Sequence, residues 1–123
     1  MLVADADVQS KPRVTLRERL GRVLERDDAK VLYLASARTS VSFNTPCESV
    51  TLLLDRRPPA LADDGDPAEI ELVLDDEQAA RFLAGRLNVP LALLAGEVTW
   101  GGPVRRYLVV DAVLRSLLRE GAS

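Results

Sequence analysis

The chain has 123 residues, a length that fits one domain burying about two thirds of its unfolded surface. Its formal net charge of -3 argues against a nucleic-acid binder, which would carry a basic footprint. It contains no histidine, so the commonest general base, the commonest zinc ligand and the Ser-His and Cys-His nucleophile pairs are all missing. We therefore expect a binding protein without catalytic residues, metal or cofactor, rather than an enzyme.

Composition also indicates which side chains build the core and in which cellular compartment the protein is expected. Hydrophobic residues make up 47% of the chain and aromatic residues only 4%, so the core must be built mainly from aliphatic side chains. The single cysteine, Cys47, excludes an internal disulfide and favours a reducing compartment. The N-terminal residues lack a signal-peptide pattern, and no apolar run approaches the ~20 residues of a membrane span. The expectation is a soluble cytoplasmic protein without stable membrane insertion.

The first part of the chain predicts a loose N-terminal segment over residues 1–13 and a single domain over residues 14–120. Thr15 and Glu18 have the spacing of a capping box and predict the start of a helix. The arginines around this helix suggest either a basic face for an anionic head group or a solvated face interleaved with glutamates. The solvated face is the favoured interpretation.

A strand-rich part follows. Residues 31–37 fit both a helical face and a strand alternation, and their alanines favour the helix. Alternation and turn residues then predict four strands, at residues 40–44, 49–54, 60–61 and 69–74, with the third at an edge. The acidic segment between the last two lacks the oxygen spacing of a calcium loop and is interpreted as a solvated loop.

The stretch from Leu72 to Gly102 carries the densest set of local signals. It contains two predicted helices, whose caps and ends are Asp75 with Gln78, Gly85, Asn88 and Gly96. A strand over residues 97–100 follows, with Val98 and Trp100 expected to point inward.

Residues 104–120 predict a last helix that Asp111 is expected to interrupt. Apolar residues almost encircle its middle, so this helix is either sandwiched in the core or covers something apolar.

The order of these elements resembles the sterol carrier protein 2 sterol-binding-domain family, over residues 69–118. The matching residues are Leu72–Glu77, Phe82-Leu83, Gly85-Arg86-Leu87, Leu93-Leu94, Gly96-Glu97-Val98 and Gly102. The resemblance implies an α+β fold with a five-stranded, mostly antiparallel sheet covered on one face by helices. Between sheet and helices, family members have an apolar tunnel that takes sterols, fatty acyl chains or acyl-CoA.

Carried over by this resemblance, the tunnel-facing candidates are Phe82, Leu83, Leu87, Leu91, Leu94, Val98, Trp100, Tyr107, Leu108 and Leu114. Trp100 departs from the smaller aliphatic residue usual at this strand position. Its bulky indole would shorten the tunnel or form its end wall.

The expected function is that of a non-enzymatic lipid carrier, which holds an apolar small molecule or lipid beneath a movable C-terminal helix. One alternative is an interaction module with the same fold and a filled core, whose final helix packs against another subunit or a second copy to form a homodimer. Another is an accessory factor that presents a lipid-like intermediate to an enzyme.

Overall fold

The computed structural model describes residues 15–26, 28–62 and 67–122. In these ranges the chain forms helices and one five-stranded sheet, which confirms the α+β class. The predicted loose segment 1–13 lies outside the described residues, as do residues 63–66 of the predicted acidic loop. The proposed domain boundaries therefore stay predictions.

The N-terminal helices follow the sequence pattern closely. Helix α1 spans Leu16–Leu24 and begins with the predicted capping box, in which the Thr15 hydroxyl accepts a hydrogen bond from the Glu18 backbone N–H at 3.1 Å. Helix α2 spans Ala29–Tyr33 and continues into a 3₁₀ turn over Leu34–Ala37. The helical interpretation of residues 31–37 is therefore confirmed.

The strands of the sheet lie in the order β3-β2-β1-β4-β5. Their bounds are Ser40–Asn44 for β1, Ser49–Leu53 for β2, Ala60–Leu61 for β3, Ile70–Val73 for β4 and Thr99–Gly101 for β5. Strands β1 and β4 are parallel, and the other three neighbouring pairs are antiparallel. The mostly antiparallel sheet is thus confirmed, with β3 and β5 at its edges.

The two faces of the sheet differ in polarity. Phe43 of β1 is fully buried and packs against rings from two different helices, Phe82 and Tyr107. Ser42 and its cross-strand partner Glu71 point to the opposite face, because successive residues of a strand alternate sides. Helices therefore cover one face, as predicted.

Helices α3 and α4 span Asp76–Leu83 and Val89–Leu94. Asp75 caps α3 by accepting the Gln78 N–H at 2.7 Å, and Asn88 caps α4 by accepting the Leu91 N–H at 3.1 Å. The glycines predicted to end these helices, Gly85 and Gly96, both have positive φ (72° and 73°).

Helix α5 spans Arg105–Ala122 without a break, so the expected interruption at Asp111 is wrong. The buried Asp111 carboxylate accepts hydrogen bonds from the Tyr107 hydroxyl at 2.7 Å and from the Arg115 guanidinium at 3.2 Å. Both partners lie four residues away on the same face, so the helix itself supplies the groups that satisfy the carboxylate. Helix α5 contacts α1, α2, α3 and α4, and it is the central element of the helical layer.

Two of the arginines on and just after α1 hold the C-terminal end of α5. Arg19 donates to the Leu118 carbonyl at 3.0 Å and Arg26 to the Leu117 carbonyl at 3.5 Å. Cations near a helix C-terminus complement the helix dipole. These two residues are therefore structural, a role that neither interpretation of the basic face had included.

The same corner carries an ion-pair cluster. Hydrogen bonds from Lys30 and Arg26 lower the pKa of the Glu120 carboxyl to about 2.

Among the described residues, no helix is long and apolar enough to cross a membrane.

Candidate functional site: an apolar groove at the sheet edge

An open apolar groove lies where α4, β5 and the beginning of α5 meet. Its volume is about 480 Å³, which is within the range of roughly 300–1,000 Å³ typical of small-molecule sites. Its lining consists mainly of aliphatic and aromatic side chains: Pro90, Leu93, Leu94, Trp100, Gly102, Pro103, Val104, Arg105 and Leu108.

Trp100 shows why the groove is open. It pairs with Leu72 across β4 and β5, and directly opposed residues lie on the same face of a sheet. Leu72 is fully buried, whereas Trp100 is 50% exposed. Trp100 therefore lies on the helix-covered side, but at the edge strand the helices do not close over it. The prediction that Trp100 points into the closed interior is therefore corrected, because half of its side chain is exposed. Val98 is buried as predicted.

Helix α4 supplies the opposite wall. Its sequence, VPLALL, is aliphatic on every side, and a helix this short can bury only one of its faces. Val89 and Ala92 take that buried face. Leu91 and Leu94 consequently remain 61% and 86% exposed. Contiguous exposed apolar surface next to a groove is typical of a ligand or partner site.

The side chains that line the groove favour contacts with an apolar group. Arg105 is the charged residue of this lining, and the lining includes no carboxylate, thiol or hydroxyl side chain. Among the residues that the structure describes, no group of three or more candidate ligands is placed to hold a metal ion. An apolar chain is the ligand that such walls favour.

The ten residues predicted to contact a ligand separate into groups. Three line the groove: Leu94, Trp100 and Leu108. Five are buried in the core: Phe82, Leu87, Val98, Tyr107 and Leu114. Leu91 is exposed outside the groove lining, and Leu83 lines a separate pocket of about 290 Å³ beside Cys47 and Glu48.

Two of the buried candidates, Phe82 and Tyr107, pack against the ring of Phe43. The ring centroids of Phe43 and Phe82 are 4.8 Å apart, and those of Phe43 and Tyr107 are 5.8 Å apart. Burial raises the pKa of the Tyr107 hydroxyl and also that of the Asp111 carboxyl beside it. The interior beneath α5 therefore carries a polar pair within an otherwise apolar core.

Sequence reasoning did not assign several groove residues to the site. These are Pro90, Leu93, Gly102, Pro103, Val104 and Arg105. The leucines of α4 point to several sides of the helix, and a short helix cannot bury them all. This pattern could have indicated an exposed apolar wall. The turn at residues 101–103 gave no such signal, since its contribution depends on where β5 lies in the sheet.

No protein-family model and no curated protein sequence matches the chain. Solved structures do match. Sterol carrier protein 2 from Yarrowia lipolytica, in its apo form, is 18% identical with a TM-score of 0.62, and the match covers 82% of this chain and 88% of that one. The UbiJ-SCP2 ubiquinone synthesis protein is 15% identical with a TM-score of 0.57, covering 94% and 96% of the two chains.

A third match is palmitated SCP2L2 from Aedes aegypti, at 16% identity and a TM-score of 0.51, covering 80% of this chain and 89% of that one. At these levels of identity the similarities show a shared fold.

Proposed function

Because the chain has the sterol carrier protein 2 fold, we propose that it is a non-enzymatic lipid-binding protein and that the apolar groove receives the hydrocarbon part of the ligand. The observation that carries this proposal is the half-exposed Trp100 facing the strongly exposed Leu94 across an open apolar groove. The similar Aedes aegypti structure is a palmitated protein, which supports an acyl chain as one ligand class.

The energetics favour an apolar ligand. Each methylene moved from water into an apolar site gains about 0.8 kcal/mol. The groove walls already expose apolar area to water, so a bound chain would remove both its own surface and part of that of Leu94 and Trp100 from solvent. Neither effect requires a catalytic group.

The groove borders the core. Val104 lines the groove and also belongs to the buried cluster that contains Tyr107 and Leu114. A chain that enters at Trp100 would extend beneath α5 if this helix moves away from the sheet. We propose that the buried candidates Phe82, Leu87, Val98, Tyr107 and Leu114 contact a ligand only in that opened state, with α5 as the cover.

A matched pair of variants tests the groove. Leu94→Gln places a polar side chain in the groove, whereas Leu32→Gln changes a leucine that is 51% exposed elsewhere on the surface. We expect Leu94→Gln to weaken binding of a fluorescent fatty acid about fivefold, corresponding to roughly 1 kcal/mol of lost apolar contact. Leu32→Gln should change it less than about twofold, and both variants should stay folded because both sites are exposed.

Equal affinities for the two variants would contradict the groove as the binding site. Native mass spectrometry of protein purified without detergent provides a second measurement. A spectrum without retained lipid, together with no binding of the fluorescent fatty acid, would contradict the lipid-binding proposal as a whole.

A second candidate function is an interaction module that uses the same surface. Leu91 and Leu94 of α4 are strongly exposed, and exposed apolar surface also suits a protein partner or a second copy. The end of α5 does not offer this surface, because Leu114 and Leu118 are fully buried within the chain. Size-exclusion chromatography with light scattering distinguishes the two: a dimer lost in Leu94→Gln but kept in Leu32→Gln favours the interaction module.

The similarity to the UbiJ-SCP2 ubiquinone synthesis protein favours a related possibility, an accessory factor that presents a lipid-like intermediate to an enzyme. Such a factor needs both a ligand and a protein contact. For an accessory factor, we expect both lipid binding and association with an enzyme to depend on the groove surface. For a simple carrier, only lipid binding should depend on it.

A further inference from the structure

A polar pocket, separate from the groove, lies at the end of the sheet where β1 begins and β2 ends. Its volume is about 860 Å³, and its lining comes from two separate segments: Ala35, Ser36, Arg38, Asp55, Arg56 and Arg57. The cross-strand pairing of Ser40 with Leu53 brings these two segments side by side. The resemblance to the carrier family assigned no role to them.

The charges of this polar pocket are unbalanced. It contains three guanidinium groups and one carboxylate, although the whole chain has a net charge of -3. The Asp55 carboxylate is paired with Arg56 at 2.9 Å. In the part of the chain that the structure describes, Arg38 and Arg57 have no carboxylate within ion-pair distance. Two exposed cations are therefore available to a ligand.

A fourth arginine lies next to the pocket lining. The Arg106 guanidinium donates a hydrogen bond to the Arg38 carbonyl at 3.4 Å, which fixes the beginning of α5 beside this segment. Arg106 has no carboxylate within ion-pair distance among the described residues either. The local field is consequently positive, and positive concave surfaces concentrate anions.

We propose that this polar pocket binds the phosphate group of an organic phosphate, with Arg38 and Arg57 as its principal contacts. Guanidinium groups bind phosphate oxygens through paired, charge-assisted hydrogen bonds, and several of them converging on one concavity suit a group of two or more negative charges. A hydrocarbon chain does not suit it, because the lining has no large aliphatic or aromatic side chain. A metal cation does not suit it, because the pocket is positive.

The phosphate has two chemical sources. Arg106 borders the polar pocket, and its neighbour Arg105 lines the apolar groove. A phosphorylated amphiphile could therefore place its head in the polar pocket and its hydrocarbon chain in the groove. A free organic phosphate would occupy the polar pocket alone. The site itself does not depend on the proposed lipid-binding function.

Inorganic pyrophosphate tests the site directly. Titrated into the ¹⁵N-labelled protein at constant ionic strength, it should shift the amide signals of residues 35–38 and 55–57 and reach saturation. The double variant Arg38→Gln/Arg57→Gln should bind it at least about tenfold more weakly, because it loses two charge-assisted contacts.

The control is Arg22→Gln/Arg86→Gln, which removes the same charge from two exposed arginines outside the pocket. It should change the affinity less than about twofold. Equal weakening in both double variants, or shifts spread over arginines throughout the surface, would overturn the proposal by showing general charge attraction only. Because the wild-type shifts are mapped independently, a poorly folded variant does not remove the test.

Dodecyl phosphate then distinguishes the two sources. If the ligand is an amphiphile, Leu94→Gln weakens binding of dodecyl phosphate but not of pyrophosphate. If the ligand is a free organic phosphate, Leu94→Gln changes neither affinity, and both outcomes support the phosphate site. A failure of the groove proposal appears separately, as unchanged fatty-acid binding by Leu94→Gln.

Discussion

At the scale of single residues, Asp111 is the least expected group in the core. A buried carboxylate is costly unless it is hydrogen-bonded, and here Tyr107 and Arg115 both donate to it. Burial nevertheless dominates and raises the pKa of Asp111 above its ordinary value of 3.8, while the hydrogen bond from Tyr107 and the charge of Arg115 lower it. The folded protein therefore binds this proton more tightly than the unfolded chain does.

This direction predicts how stability depends on pH. For an acid with a raised pKa in the folded state, the stabilisation is complete below the unfolded value of 3.8 and is lost as pH rises through the folded pKa. Asp111→Asn cannot lose a proton. We therefore expect the free energy of unfolding of Asp111→Asn to rise relative to wild type between pH 4 and 7, measured by urea denaturation.

The control for this measurement is Asp28→Asn, which changes a carboxylate in a surface ion pair with Arg26. A change that both variants share would not be due to the burial of Asp111. A difference for Asp111→Asn that is constant across this pH range would show that Tyr107 and Arg115 balance burial, and one that falls with pH would show that they outweigh it; either result would contradict the prediction.

Asp111 also marks a limit of sequence reasoning. An aspartate in mid-helix predicts an interruption, because its side chain competes for backbone groups. Its partners four residues before and after it were visible in the sequence, but that they enclose it in the core depends on the packing of α5 against the sheet. The prediction followed the general preference of aspartate, but α5 continues through Asp111.

At the scale of elements, Gly85 and Gly96 provide a natural comparison. Both end a helix with nearly the same positive φ, 72° and 73°. A Cβ atom at Gly85 would lie 2.6 Å from the Arg115 carbonyl oxygen, whereas at Gly96 nothing lies within 4 Å. Gly85 is thus required both by its conformation and by the close approach of α5.

We expect Gly96→Ala to lower the free energy of unfolding by about 1 kcal/mol, the cost of a left-handed backbone for alanine. Gly85→Ala should lower it by about 3 kcal/mol or more, because the added methyl group also pushes against the backbone of α5. Chemical denaturation of both variants measures the difference. Equal losses would mean that α5 is not held against this glycine in solution.

Helix caps, glycine ends and strand alternation were all predictable because each depends on neighbours within four residues. Thr15 with Glu18 and Asp75 with Gln78 are examples of capping boxes that the structure confirms. The roles of Arg19 and Arg26 were not predictable in this way. Their carbonyl partners lie 99 and 91 residues away along the chain, so only the tertiary fold brings them together.

At the scale of the whole molecule, the function proposed here follows from incomplete coverage of one sheet face. The helical layer closes over the central strands and buries Phe43, but it leaves Trp100 on the edge strand half exposed. The five-stranded sheet under helices was predictable, since the sequence of Leu72 to Gly102 resembled a family whose fold the structural matches then showed. Which strand would form the uncovered edge was not encoded in any local pattern.

The distribution of charge is a second property of the whole molecule. The chain is acidic overall, yet the polar pocket collects Arg38, Arg56 and Arg57 from segments that are distant in sequence. Counting charges along the chain could not reveal this concentration. Only the pairing of β1 with β2 brings the segments together.

The most direct test of the groove uses the chain's own fluorescence. Trp100 is the only tryptophan, so the entire tryptophan emission reports on the groove. A saturated fatty acid should shift this emission to shorter wavelengths as the half-exposed indole loses water, and a fatty acid brominated along its chain should quench it with saturation. An emission unchanged by the first and not saturably quenched by the second would contradict the binding of an apolar chain in the groove.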